Sequence, residues 1–168
     1  MKTVKEIMYS TPKYCGKNES LLNAVREMSK SNIGSLPVVD SDKKVVGIIT
    51  NRDVCTTLGK TSKTLAELKV QEVMTPEAYI CTPEDDTKTA LKIMRTKKVH
   101  RLPVVDKEGH LKGLLSLNTI VREFEGSREK AEIEYMLRLE RDGDITIDFR
   151  LGNRKRYYKD KLLRRFGR

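Results

Sequence analysis

The feature that most constrains this chain is a repeat at one fixed spacing. Val4-Lys-Glu-Ile-Met8 returns as Val70-Gln-Glu-Val-Met74, and Leu36-Pro-Val-Val-Asp40 returns unchanged as Leu102-Pro-Val-Val-Asp106. Cys15 returns as Cys81, Ala24 as Ala90, Met28 as Met94, Gly47 as Gly113 and Thr50 as Ser116. Every pair lies 66 residues apart, with no insertion. Self-similarity at a constant period marks one supersecondary unit used twice.

Each copy carries the same alternation of periods. An extended stretch near Lys13–Cys15 precedes a helical pattern at Ser20–Lys30, whose Leu21, Ala24, Val25 and Met28 share one face. Two short apolar strands follow, Leu36–Val39 and Val45–Ile49, joined by the polar turn 40–44, and a second helix begins near Asn51. The second copy places strands at Leu102–Val105 and Leu111–Leu115 around the turn 107–109. Pro37 and Pro103 are expected to open their strands, where a missing N–H is tolerated. A unit this small cannot cover both faces of its sheet, so two copies are expected to stack about a pseudo-two-fold.

Composition narrows the function. With 38% apolar residues and no long apolar run, nothing spans a bilayer, and residues 1–10 carry no signal-peptide pattern. A cytoplasmic location is expected. Three cysteines without Cys-x-x-Cys spacing and two histidines speak against a zinc site, a disulfide framework or a catalytic triad. No metal and no catalytic residue is expected.

The order helix–strand–strand–helix, the Leu-Pro-Val-Val-Asp strand and the segment Gly47-Ile-Ile-Thr-Asn-Arg-Asp53 together resemble the CBS domain, over about residues 1–125. The resemblance implies an α/β fold in which two βαββα units pack as one Bateman module. Residues 1–66 would form the first repeat and 67–126 the second, with a small α/β basic extension over 127–168. It also implies a homodimer and an adenosyl ligand such as AMP, ADP, ATP, S-adenosylmethionine or methylthioadenosine.

A ribose presents a vicinal diol, and a carboxylate can accept from both hydroxyls. Asp53, three residues after Thr50 at a helix start, suits that role, although capping alone also favours Asp there. The second copy reads Gly113-Leu-Leu-Ser-Leu-Asn-Thr119, so Thr119 replaces the carboxylate while Ser116 keeps the hydroxyl. The asymmetry reverses before the Leu-Pro strand. His100 and Arg101 stand where the first copy has Gly34 and Ser35. An Arg fork and a His can donate to a phosphate, with charge-assisted bonds of about 1.5–3 kcal/mol each.

His-Arg-Leu-Pro-Val resembles the phosphate-contacting stretch in the nucleotide-sensing subunit of AMP-activated protein kinase. That resemblance implies one site built from Thr50 and Asp53 with His100 and Arg101. The other site would pair Ser116 and Thr119 with Gly34 and Ser35. The base would read backbone near Tyr14 and Cys15, with Ile33, Pro37 and Ile49 as walls. The concerted asymmetry favours one phosphorylated adenosine ligand per chain, bound for regulation rather than turnover.

Past Glu125 the repeat stops. Ser127–Arg141 reads as a helix, and Ile145, Ile147, Phe149 and Leu151 alternate like a strand. Residues 149–168 hold nine Lys or Arg against one Asp, a net +8 of the chain's +10. Arg150, Arg154, Lys155, Arg156 and Lys159 are interleaved with Tyr157 and Tyr158, and Lys161, Arg164 and Arg165 follow. Cations among rings suit RNA or single-stranded nucleic acid. An acidic protein partner and a solvated basic terminus fit the same pattern. An RNA- or ribosome-associated factor, with the repeats as scaffold, is therefore the alternative to a nucleotide-sensing regulator.

Overall fold

The computed structural model describes residues 2–127 together with Lys130 and Ile133. The described residues up to Glu123, which carry the elements of both copies, form one compact unit. The candidate nucleic-acid residues and the strand expected over Ile145–Leu151 lie outside the described residues. So does most of the expected Ser127–Arg141 helix, of which Lys130 and Ile133 have helical backbone.

The first copy runs α1 (Val4–Ile7), β1 (Cys15–Gly16), α2 (Leu21–Lys30), β2 (Ser35–Val39), β3 (Val45–Thr50) and α3 (Asn51–Leu58). The second repeats it as α4 (Val70–Val73), β4 (Thr75–Pro76), α5 (Thr87–Thr96), β5 (Arg101–Val105), β6 (Leu111–Ser116) and α6 (Leu117–Glu123). Local chemistry sets the boundaries. Ser20 stays extended, and its hydroxyl accepts the Asn23 N–H at 3.3 Å, which starts α2. Asp86 does the same for α5 through Thr89 N–H at 2.6 Å. Leu21, Ala24 and Met28 point into the core, as do Ala90, Leu91 and Met94. The Asp of each Leu-Pro-Val-Val-Asp builds the hairpin turn. Asp40 Oδ1 accepts from Asp42 and Lys44 N–H, and Asp106 Oδ1 from Glu108 and His110 N–H.

Pro37 and Pro103 do not open their strands; each is the third of five residues, paired with Ile48 and Leu114 respectively. The physical reason is the alternation of an antiparallel ladder. Asn51 N–H bonds Gly34 C=O at 3.1 Å, and Leu117 N–H bonds His100 C=O at 2.9 Å. Counting along the ladder puts both prolines in the non-hydrogen-bonded register facing β3 and β6, so no ladder bond needs their N–H.

The leading segment of each copy belongs to the other copy's fold. Thr75–Pro76 pair with Ile48 and Gly47 of β3, and Tyr9 pairs with Leu114 of β6. Val4 and Lys5 N–H bond the carbonyls of Asp85 and Pro83, while Val70 and Gln71 N–H bond those of Glu19 and Lys17. These are the same bonds shifted by 66 residues. Leu68, Val70 and Val73 accordingly sit in the hydrophobic cluster of the first copy with Leu21, Leu36 and Ile49. Glycine makes the crossing possible. A Cβ on Gly47 would lie 2.6 Å from Thr75 O, and one on Gly113 would lie 2.5 Å from Met8 Sδ and 3.1 Å from Tyr9 O.

The hairpin turns join on the pseudo-two-fold. Lys44 and His110, repeat mates, form an antiparallel bridge flanked by Val45 N–H to Gly109 C=O at 3.0 Å and Leu111 N–H to Lys43 C=O at 3.3 Å. The expected stacking of two copies is therefore an exchange of segments plus a symmetric join.

Candidate functional site

β3 ends and α3 begins on one hydrogen-bonded corner. Thr50 N–H and Oγ–H both donate to Asp53 Oδ2, at 2.8 and 2.7 Å, and Asp53 N–H returns to Thr50 Oγ1 at 3.3 Å. This capping box fixes the Asp53 rotamer. It uses one carboxylate oxygen only; Oδ1 receives no donor among the described residues. The capping reading and the ligand reading are thus compatible, one oxygen for each. In the second copy Ser116 and Thr119 hydroxyls bond each other at 2.8 Å, and Thr119 N–H bonds Ser116 Oγ at 3.1 Å. That corner caps α6 without displaying a carboxylate.

Arg101 opens β5 and is half-buried. Among the described residues its guanidinium has no carboxylate or carbonyl partner, so the ion pair that would make it merely structural is not there. The guanidinium instead reaches the first copy. A Cβ placed on Gly34 would sit 3.2 Å from Asn51 Nδ2 and 3.9 Å from Arg101 Nη2. Asn51 follows Thr50 directly, so Arg101 of the second copy and the Thr50–Asp53 corner of the first flank the same backbone point.

Gly34, which the resemblance pairs with Ser116 and Thr119, has the Asn51 and Arg101 side chains as its nearest neighbours. The His100 ring is exposed, and its carbonyl holds the start of α6 through Leu117 N–H. Ser35 is buried, and its hydroxyl has no hydrogen-bond partner among the described residues.

One correction concerns the walls. Successive strand residues face opposite sides. Thr50, Ile48, Pro37 and Ser35 share the face opposite the helices, whereas Ile49 is fully buried with Leu36 in the core. Ile49 has no surface to offer a base. Half-exposed Ile48 occupies the position that strand alternation from Thr50 would have identified. Ile33 is partly exposed and packs against the core, Pro37 is buried, and Tyr14 is 46% exposed. Cys15 and Cys81 are core residues, each thiol pushed up to about 12, chiefly by burial.

A surface groove of about 870 Å³ runs between Tyr9–Cys15 and α2. It shares Tyr14 and Cys15 with the expected base slot but holds none of Thr50, Asp53, His100 or Arg101. Its carboxylates are engaged: Glu19 accepts Gly16 N–H at 2.8 Å, and Glu27 accepts the Ser31 hydroxyl at 2.8 Å with Lys13 at 3.5 Å. Asp53 Oδ1 and the Arg101 guanidinium, neither with a partner among the described residues, lie outside this groove. Among the described residues, Asp106, Glu108 and His110 come together as metal ligands might, within 4.8 Å. The Lys112 ammonium, 3.1 Å from Asp106 Oδ2, already supplies the positive charge there.

With this geometry in hand, the comparisons define a class. The CBS domain family model matches residues 4–60 and again 70–126. The chain belongs to the CBS domain family and carries two of these domains as a tandem pair. It is 36% identical to the inosine-5'-monophosphate dehydrogenase of Methanocaldococcus jannaschii over 120 residues, 71% of this chain and 22% of the dehydrogenase. The chain thus spans about a fifth of that relative's length. Its fold is similar to the CBS domain pair of protein MJ0100, solved in complex with 5'-methylthioadenosine and S-adenosyl-L-methionine. The TM-score is 0.68 at 28% identity, covering 75% of this chain and 98% of that one. The CBS domain structure of NE2398 gives 0.67 at 32%, covering 73% and 98%. No helix among the described residues is long and apolar enough to cross a membrane.

Proposed function

We propose that this CBS pair is a regulatory module that binds one adenine nucleotide, AMP, ADP or ATP, between its copies and carries out no turnover. The observation that carries the reading is the Arg101 guanidinium, without a partner among the described residues, beside Gly34 and Asn51; two residues after Asn51, the Asp53 carboxylate keeps one oxygen free of donors among those residues. Asp53 Oδ1 accepts the ribose hydroxyls, Arg101 takes the phosphate, and the base lies against Ile48 and Pro37 near Tyr14. His100, exposed and next to Arg101 in the chain, adds a further donor. The adenosyl ligands of the MJ0100 pair support the ligand class. Methylthioadenosine has no anionic group for Arg101 to meet, which favours a phosphorylated ligand here. The module acts as a homodimer in the cytoplasm, and nucleotide binding biases the angle between copies and so the attached partner.

Calorimetric titration with AMP, ADP and ATP tests this. Asp53→Ala and Arg101→Ala should each weaken binding at least tenfold; a pair of variants that bind as tightly as the parent contradicts the assignment.

The charge of residues 149–168 favours a second reading, a factor associated with RNA or the ribosome, in which the repeats are a scaffold. RNA affinity would then fall steeply with salt and vanish when 149–168 are deleted. Equal binding by the truncated chain contradicts it.

A further inference from the structure

We propose that Asn51 is a second donor to the anionic end of the ligand, acting with Arg101 across the copy boundary, and that Gly34 is the clearance both require. The inference rests on the adenine-nucleotide reading and names residues that neither the repeat nor the family motif singles out.

Three observations carry it. Asn51 Nδ2 and Arg101 Nη2 come from different copies, yet both lie within 4 Å of one point, the site a Gly34 side chain would fill. A phosphate bridges two donors so placed when each bonds a different oxygen at about 2.7–2.9 Å. Second, neither side chain has a hydrogen bond or ion pair among the described residues, although Arg101 is half-buried. An amide and a guanidinium left without acceptors at one spot are matched by an anion. Third, the repeat supplies an internal contrast. The mate of Asn51 is Leu117, 4% exposed in the core, and the mate of Arg101 is Ser35. The mates of the amide, the guanidinium and the Asp53 carboxylate are thus a leucine, a serine and a threonine, so the three groups are absent together from the matching positions.

Gly34 follows from the same geometry. A Cβ 3.2 Å from the Asn51 amide nitrogen must push that amide aside, and at 3.9 Å from the guanidinium it fills the space a phosphate oxygen needs. Gly34 has no positive φ in this structure, so its lack of a side chain is about room rather than backbone conformation.

The experiment compares AMP with adenosine, which differs by the phosphate alone, in calorimetric titrations of the full chain. Asn51→Leu installs the residue of the second copy at an exposed helical position where folding is unaffected; thermal unfolding checks this. AMP affinity should fall about tenfold while adenosine affinity stays within twofold. Gly34→Ala should show the same selective loss for AMP. Should that variant fail to fold, the Asn51→Leu comparison stands by itself. Unchanged AMP binding in Asn51→Leu, or equal losses for AMP and adenosine, overturns the donor role of Asn51 and leaves the nucleotide reading intact. A parent chain that binds AMP no better than adenosine, or binds neither, overturns both.

Discussion

Single carboxylates do two jobs here, and both can be measured. Asp53 closes the cap of α3 with Oδ2 and leaves Oδ1 without a donor among the described residues. Asp53→Ala should therefore lower folding stability by about 0.5–2 kcal/mol, the usual cost of a lost cap, in addition to weakening nucleotide. Urea unfolding without ligand reads the first effect separately, and an unchanged midpoint would mean the box contributes nothing. Asp106, in the hairpin turn of the second copy, is the other such carboxylate. Burial pushes its carboxyl up, but bonds from His110 N–H, Lys112 and the His110 ring prevail and hold it at about 2, against an ordinary 3.8. A carboxyl depressed on folding stabilises the protein above its unfolded pKa, and that contribution disappears as pH falls from about 4 through about 2. Asp106→Asn should lose less stability than the parent between pH 4.5 and 2.5; parallel losses would show that Asp106 is not linked to folding. The roles of these two side chains were legible unequally. Thr-x-x-Asp is a recognisable pattern. The contact of Gly34 with Arg101 is not, because glycine carries no side chain to mark its surroundings and the partner lies 67 residues away.

At the scale of elements, the two leading segments decide how the copies cohere. Helices and hairpins were readable because their periods of 3.6 and two are local. The exchange of α1 and α4 between copies was not, since Tyr9 meets Leu114 and Thr75 meets Ile48 only through the tertiary fold. Strand alternation could have placed Ile48 rather than Ile49 on the open face; a continuous apolar run hid which side was buried. The exchange predicts that residues 1–66 alone will not unfold cooperatively, because Val70 and Val73 complete their core. A sigmoidal denaturation curve for that fragment would contradict the exchange as a requirement. It also predicts an asymmetry between repeat mates. A Cβ on Gly47 meets the backbone carbonyl of Thr75, whereas on Gly113 its nearest neighbour is the flexible end of Met8. Gly47→Ala should cost about 1–3 kcal/mol in urea unfolding and Gly113→Ala less; the reverse order would contradict the geometry.

For the whole molecule, duplication gives a shared scaffold whose two clefts have diverged. Asn51 of one copy and Arg101 of the other flank Gly34, with Asp53 two residues beyond Asn51, whereas the matching positions hold Leu117, Ser35, His100 and Thr119. The duplication was evident from the 66-residue spacing, and the family from the Leu-Pro-Val-Val-Asp strand and the Gly47–Asp53 segment, while the approach of Arg101 to Gly34 and Asn51 required coordinates. The most direct measurement is a crystal structure of the chain grown with AMP. The account predicts one nucleotide per chain, its ribose hydroxyls on Asp53 and its phosphate on Arg101 of the same molecule. A nucleotide seated in the groove beneath Tyr9 and α2, or one that touches only one of those two side chains, would contradict it.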